Sequence, residues 1–327
     1  MSSPPMVAPV DVALDRLFPA EGDDDVAVSA RRSLARILSW AESSKWPEVA
    51  WSFSRLTSCG FPLELSFAPD QALRYTAEIA GAEVANDERL PRAVELGRAL
   101  GGREPEPALL ETLAALQRGG TLLFGSWLGA RHLPGRDRYK VYAEIPRDLP
   151  DSGRVAVERL FPWGLEGVLQ PRGAAVELDS SAYEVYFRGA RGTESWQVER
   201  LMWRLGVDAA LPSLRDLIEE ATGRAFERAA GGSNLGFSLA MSRDGAPTAF
   251  SVFGYARRLL GIDSAARRRV LSLAAARGWD FSRYERVSAA LEQRNQGPSG
   301  HGAVAFVVDA TGRAALQVTV CPREAAT

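Results

Sequence analysis

TLLFGSWLGARHL (121–133) and DRYKVYAEIP (137–146) are two alternating runs joined at Pro134-Gly135. Apolar and polar residues change places with a period of two, and Pro-Gly is turn chemistry, so the stretch reads as a β-hairpin. On its second strand Val141, Ala143 and Ile145 make the apolar side, and Lys140, Tyr142 and Glu144 the polar one.

Four more hairpins emerge on either side. EVAWSFSRLT (48–57) and FPLELSFAP (61–69) flank a Cys59-Gly60 turn. GAAVELD (173–179) precedes AYEVYFRG (182–189). NLGFSLAMSRD (234–244) and PTAFSVFGYAR (247–257) meet at Asp244-Gly245, a dipeptide suited to a tight hairpin turn. GAVAFVVDA (302–310) and GRAALQVTVC (312–321) form the last pair.

Helical spacing fills the gaps. Ala30, Leu34, Ile37, Leu38 and Ala41 form one stripe behind an acidic Asp23-Asp24-Asp25 start, which suits a helix N-terminus. Further helices are expected near 71–81, 87–100, 106–117, 152–161, 264–276 and 282–294. Two more carry the stripes Val198, Leu201, Met202, Leu205 and Leu214, Leu217, Ile218, Ala221. The order is a repeated ααββ unit at uneven intervals, a structural repeat without a sequence repeat.

Every hairpin has one apolar face, which the amphipathic helices are placed to cover. The other faces carry Glu64 and Ser66, Trp127 and Arg131, Lys140, Tyr142 and Glu144, Glu184, Tyr186 and Arg188, Ser238 and Ser242, and Gln317 and Thr319. An open sheet of ten strands would leave two edges and a broad wet face. Closure removes the edges, and ten strands enclose more space than side chains fill. The expected fold is therefore α+β, a ten-stranded antiparallel β-barrel surrounded by α-helices, with the polar faces lining a lumen. It forms a single domain over 11–323, with tails at 1–10 and 324–327.

Composition narrows the function classes. The chain has 327 residues, 46% hydrophobic and 24% charged, which excludes a mostly disordered chain. Thirty-nine basic against 41 acidic residues give a net charge of −2, so no strongly basic face for nucleic acid is implied. No run of about 18 apolar residues is present, and MSSPPMVAPV lacks the pattern of a secretory signal. A cytoplasmic monomer with no membrane association is expected. Two cysteines, Cys59 and Cys321, and two histidines, His132 and His301, exclude a disulfide framework. The motifs GxGxxG after a strand, GxxxxGK[ST] and GxSxG are missing.

The segments PLELSF (62–67), KVY (140–142) and EVYFR (184–188), with the repeat order, resemble the ABBA-type aromatic prenyltransferases over about 26–323. FPLELSFAPD, GSWLGARH, YKVYAEIP, YEVYFRG and the GHGAVAF-to-TVCPRE end look most like the cyanobactin branch, which prenylates ribosomal cyclic peptides. The resemblance implies an enzyme transferring an isoprenoid, an alkyl group other than methyl, from dimethylallyl or geranyl diphosphate to a nucleophilic side chain of such a peptide. Two alternatives stay open: a small aromatic or indole acceptor, and a non-catalytic barrel binding a hydrophobic ligand or a leader peptide. The family pattern has a basic residue near the end of the last strand. Here the inward parity gives Gln317, Thr319 and Cys321, with Arg323 only after Pro322.

The chemistry assigns expectations to residues. Ionising a diphosphate calls for Arg and Lys donors, and strand parity offers Arg55, Arg131, Lys140 and Arg188, whose other reading is as solvated surface cations. Tyrosine faces shield an allylic cation, worth about 0.5–2 kcal/mol each. Tyr142, Tyr186 and Tyr255 are the candidates, with Phe253 and Trp127 walling the acceptor pocket. Glu64 is the candidate catalytic carboxylate, since the matching glutamate of the family orients or deprotonates the acceptor. No DDxxD-type pair is present, so Mg²⁺ is expected to ride on the diphosphate, with no protein metal site and no organic cofactor.

Overall fold

A computed structural model describes residues 10–18, 25–70, 72–164, 169–189, 194–230 and 235–323. Its strands are β1 (Leu63–Phe67), β2 (Leu73–Glu78), β3 (Ser126–Leu133), β4 (Arg136–Glu144), β5 (Leu169–Glu177), β6 (Tyr183–Gly189), β7 (Gly236–Met241), β8 (Pro247–Tyr255), β9 (His301–Asp309) and β10 (Ala314–Val320). They pair antiparallel in chain order, and β1 closes on β10 to complete a barrel. No edge strand is left among the described residues, which removes the aggregation hazard of a free edge.

The helices are α1 (Val10–Leu17), α2 (Asp25–Leu38), α3 (Arg89–Ala99), α4 (Pro107–Gln117), α5 (Asp151–Leu160), α6 (Ser195–Arg204), α7 (Leu211–Thr222), α8 (Phe226–Ala229), α9 (Ala256–Leu259), α10 (Asp263–Arg277) and α11 (Ser282–Val287). They form the connections at one end of the barrel and the layer around it, while all five hairpin turns lie at the other end. These are called the crossover end and the turn end below. Among the described residues no helix is long and apolar enough to cross a membrane.

The core lies between sheet and helices. Leu63, Leu65, Val141, Ala143, Val185, Phe187, Phe237, Leu239, Leu316, Val318 and Val320 point outward and are buried. On α2 the buried residues Val26, Ala30, Leu34, Ile37 and Leu38 recur at helical spacing and pack on this surface. Each such side chain stabilises the fold by about 1.5–3 kcal/mol. Gly245, at φ 82°, supplies the left-handed residue that the β7–β8 turn needs.

The first hairpin differs from expectation. Residues 48–57 form turns, and β1 pairs instead with β2, inside the segment read as a helix over 71–81. In LRYTAE, Leu73, Tyr75 and Ala77 are buried outward while Arg74 and Thr76 face the lumen, the alternation of a strand. The following Ala and Glu residues imitate helix composition, but the pairing with β1 prevails. The tail also ends earlier than expected, since Val10 begins α1 and is buried. Residues 1–9, 324–327, Asp23 and Asp24 lie outside the described residues. The helix expected over 282–294 is only α11 followed by the short turn Ala289–Leu291. Residues 121–125 precede β3, and the Glu144 carboxylate ties them down by accepting the N–H groups of Leu123, Phe124 and Gly125. That task gives the inward-parity Glu144 a structural explanation.

Candidate active site

The inward face is partly accessible, whereas its outward neighbours are sealed. Lys140 and Glu184 sit inside a closed sheet, yet their side chains keep 23% and 17% exposure. A filled barrel would leave them none, so the lumen holds open space.

Arginines gather toward the turn end. Arg74 of β2 and Arg131 of β3 both bind Asp70 in the β1–β2 turn, at 2.6 and 2.7 Å. Arg138 of β4 stands opposite Arg131 in register, with Glu177 of β5 at 3.9 Å. Burial alone would raise the Asp70 carboxyl, but the Arg74 hydrogen bond and the charges of Arg74 and Arg131 hold it below its ordinary value. Burial and the neighbouring Arg74 charge lower Arg131.

Deeper in, Lys140 Nζ donates to Glu184 Oε2 at 2.5 Å. Burial opposes the ammonium charge, yet Glu184 overcomes it and raises the lysine, while Lys140 in return lowers Glu184 against its own burial. The Tyr186 hydroxyl donates to the same Glu184 oxygen at 2.6 Å. The Tyr142 and Tyr186 rings lie 5.9 Å apart, and Lys140 Nζ is 5.7 Å from the Tyr142 centroid. Phe253 packs edge-on to Tyr186 at 6.3 Å. Glycine makes room for these rings. A Cβ on Gly129 would stand 2.7 Å from the Tyr142 ring, and one on Gly236 would stand 2.2 Å from Phe253. The cluster joins a site for negative oxygens to π faces that stabilise a cation.

Glu64 lies at the β1–β10 seam, in register with Lys140 through Thr76 and Gly129. It accepts from Thr319 Oγ1 at 2.8 Å, and Thr319 Oγ1 in turn accepts the Ala303 N–H. A Cβ on Gly302 would meet Glu64 Oε1 at 2.0 Å, so only glycine leaves the carboxylate its place. Burial pushes its pKa up to about 7; the Thr319 bond opposes this and the nearby Cys59 adds to it. Such a carboxyl exchanges a proton near neutrality.

The remaining expected residues separate. Arg55 is exposed on a bend outside the sheet, because the strand assigned to it does not form. Tyr255 keeps inward parity but ends β8 and is 68% exposed, so it shields nothing inside the lumen. Arg188 is exposed near the crossover end. Lys140 Nζ reaches Glu184, and Arg188 lies four residues, about 13 Å, further along β6. Parity assigns both side chains to the inward face, but Arg188 is exposed whereas Lys140 is half-buried and held by Glu184. Trp127 stacks on Phe124 at 3.7 Å and donates Nε1–H to Glu78 at 2.9 Å. Glu78 is itself sealed in an ion pair with Arg89 at 2.7 Å. The indole is thus a fixed wall.

Sequence reasoning passed over Arg74, Arg138 and the partner role of Glu184. Arg74 was hidden by the helical reading of 71–81. Arg138 was visible, since it shares parity with Lys140 and Tyr142. Outside the barrel, Ser33, His132 and Asp137 form a chain like that of a serine hydrolase, with His132 3.2 Å from Ser33 and 2.7 Å from Asp137. Ser33 also meets Tyr75 at 2.6 Å, and the histidine is fully buried, so no substrate reaches it. No group of three or more His, Cys, Asp or Glu residues arranged to hold a metal occurs among the described residues.

No protein-family model and no curated protein matches the chain. Solved structures do. A 6-dimethylallyltryptophan synthase from Micromonospora olivasterospora, in complex with DMASPP and Trp, is 21% identical with a TM-score of 0.71, covering 97% of this chain and 96% of its own. A 5-dimethylallyltryptophan synthase from Streptomyces coelicolor is 16% identical at 0.71, covering 97% of each chain. AnaPT from Neosartorya fischeri is 13% identical at 0.60, covering 97% and 92%. The chain thus has the ABBA barrel fold, which it shares with two proteins named as dimethylallyltryptophan synthases.

Proposed function

We propose that the chain is a cytoplasmic, monomeric enzyme that moves a dimethylallyl group from its diphosphate to a small aromatic acceptor of the indole class. One observation carries the reading: Arg74, Arg131 and Arg138 form one register row on the inward face, and Lys140, two residues deeper on β4, stands against the Tyr142–Tyr186 pair. The diphosphate takes over the arginine donors now turned to Asp70 and Glu177. The C–O bond to the leaving group breaks, and the tyrosine faces hold the allylic cation away from water. An aromatic carbon of the acceptor forms the new C–C bond, and the displaced ring proton passes to the Glu64 carboxylate. Trp127 and Phe253 wall the acceptor. Any Mg²⁺ travels on the diphosphate as part of the substrate, and no organic cofactor takes part.

The small acceptor is preferred to the ribosomal cyclic peptide because two neighbours are named for tryptophan products. The segments FPLELSFAPD and YKVYAEIP still favour the peptide as second reading. Uncharged Gln317 and Thr319 on β10, with Glu184 already holding Lys140, are the features favouring the binding barrel. The test incubates the protein with dimethylallyl and geranyl diphosphate against tryptophan, other indoles, phenols and cyclic and linear peptides. Gain of one five-carbon unit on an indole is the expected result. Transfer to peptides alone selects the second reading, and no transfer by folded protein ends the enzymatic one.

A further inference from the structure

Cys59 and Cys321 are 262 residues apart in sequence, yet their sulfur atoms lie 2.7 Å from each other. Both are free thiols in this structure. Two sulfurs at that separation are inside van der Waals contact and about 0.7 Å from the length of a covalent bond. The pair sits where the barrel closes. Leu65 is opposite Val320, so continuing the register puts Cys321 level with Glu64. Cys59 belongs to the segment that leads into β1. The backbone around both sulfurs is fixed. Thr57 Oγ1 accepts or donates at 3.4 Å from Cys59 Sγ, Arg323 donates to the Cys59 carbonyl, and the Cys321 N–H donates to Gly300 O.

The two thiols differ in a way that suits exchange chemistry. Cys59 is partly exposed and Cys321 is buried. The hydrogen bond from Cys321 holds the Cys59 thiol below its ordinary value despite burial, helped by Thr57 and the Arg323 charge. The same bond and burial push Cys321 up. Cys59 is therefore the accessible nucleophile and Cys321 the resolving thiol.

We propose that Cys59 and Cys321 form a dithiol–disulfide site that staples the entry to β1 onto the exit of β10, with low-molecular-weight disulfides of the glutathione type as its oxidant. The Cys59 thiolate attacks one sulfur of the small disulfide, forming a mixed disulfide and releasing one thiolate. Cys321, losing its proton, then attacks the Cys59 sulfur and expels the second thiolate. The protein loses two protons and two electrons, and the small disulfide takes up both to become two thiols. The staple joins the strands that carry Glu64 and its donor Thr319, and so fixes the β1–β10 side of that pocket. It stands independently of the transfer reading.

The full-length protein is equilibrated in buffers of reduced and oxidised glutathione, quenched with an alkylating reagent and weighed intact. Both thiols are expected to vanish in one two-electron transition with a mass loss of two hydrogens in the monomer. A cross-linked 59–321 peptide pair follows on digestion, and Tm rises by at least about 5 °C in the oxidised form. In Cys59→Ser and Cys321→Ser, the remaining cysteine yields only the glutathione adduct. Independent loss of the two thiols in the wild-type protein, a stable adduct on both, or disulfide-linked dimers at every ratio overturns the proposal.

Discussion

Ionisable groups occupy two regions of this molecule, and they behave differently. Outside the barrel, His132 binds Asp137 at 2.7 Å, and His301 binds Asp263 at 2.8 Å and Tyr284 at 2.8 Å. Asp263 also accepts the N–H groups of Gly300 and His301 and the Ser299 hydroxyl. Both histidines are sealed between helix and sheet, their polar atoms engaged, and they pin α2 and α10 to the barrel. Inside the barrel, Arg131–Asp70 and Lys140–Glu184 are just as closely paired, but they keep accessible surface and face space that a ligand can enter. Pairing alone therefore does not distinguish structural from chemical roles. Access does, because a donor reachable by substrate can exchange its carboxylate partner for a phosphate oxygen.

The comparison breaks if the lumen residues behave as pins. Glu64→Gln carries the largest expected effect on catalysis, a drop in kcat/KM of about 10²–10⁴ with the fold unchanged. The sign of the pH dependence follows from a carboxyl raised to about 7. The carboxylate fraction grows as pH rises, so the wild-type rate climbs through about pH 7, and the Gln variant loses that limb. A pH–rate profile checks both. Asp263→Ala is the opposite case. It costs about 3–5 kcal/mol in denaturant unfolding, because it leaves a buried network open, while kcat of the folded fraction stays within about two-fold. The His301 and Ser299 bonds and the Gly300 and His301 amides outweigh burial and hold Asp263 below the ordinary carboxyl range. The stability it supplies is present above about pH 4 and is lost as pH falls through the depressed value. The acid limb of an unfolding series flattens in the variant.

Smaller effects sharpen the same division. Tyr186→Ala lowers kcat by about 2–30-fold, the worth of one cation–π face, whereas Tyr186→Phe keeps most of it because the ring remains. Steady-state kinetics on the pair separates the ring from its hydroxyl bond to Glu184. Arg55→Ala changes kcat/KM by less than about two-fold, since an exposed bend residue outside the sheet contributes little. A ten-fold loss there would move the diphosphate to the wrong end of the barrel.

Four of the five hairpins were legible because their alternation is long and bounded by turn residues. The first was misread for a physical reason. WSFSRL (51–56) alternates without a strand partner, while LRYTAE (73–78) finds one in β1 despite helix-forming neighbours. Parity assigned Lys140, Tyr142, Tyr186 and Glu64 to the inner face. It carries no information on depth along the lumen, which depends on how the strands are staggered. Arg188 and Lys140 show this, and the β5 irregularity between Pro171 and Gly173 shifts the register between them. Partner choice was also unreadable. Glu184 appears as one more polar strand residue until β4 and β6 are brought around β5. The meeting of Cys59 with Cys321 depends on closure between the first and last strands, which no local pattern encodes.

The most direct measurement is calorimetric binding of dimethylallyl thiolodiphosphate, a non-ionising analogue, to the wild-type protein and to Lys140→Ala, Arg131→Ala and Arg188→Ala. Saturable 1:1 binding is expected in the wild type. Affinity falls by about 10-fold or more in the first two variants, which lose charge-assisted bonds, and stays within two-fold in Arg188→Ala. Absence of binding to the folded wild type, or loss with Arg188→Ala alone, contradicts the lumen as the site of the diphosphate.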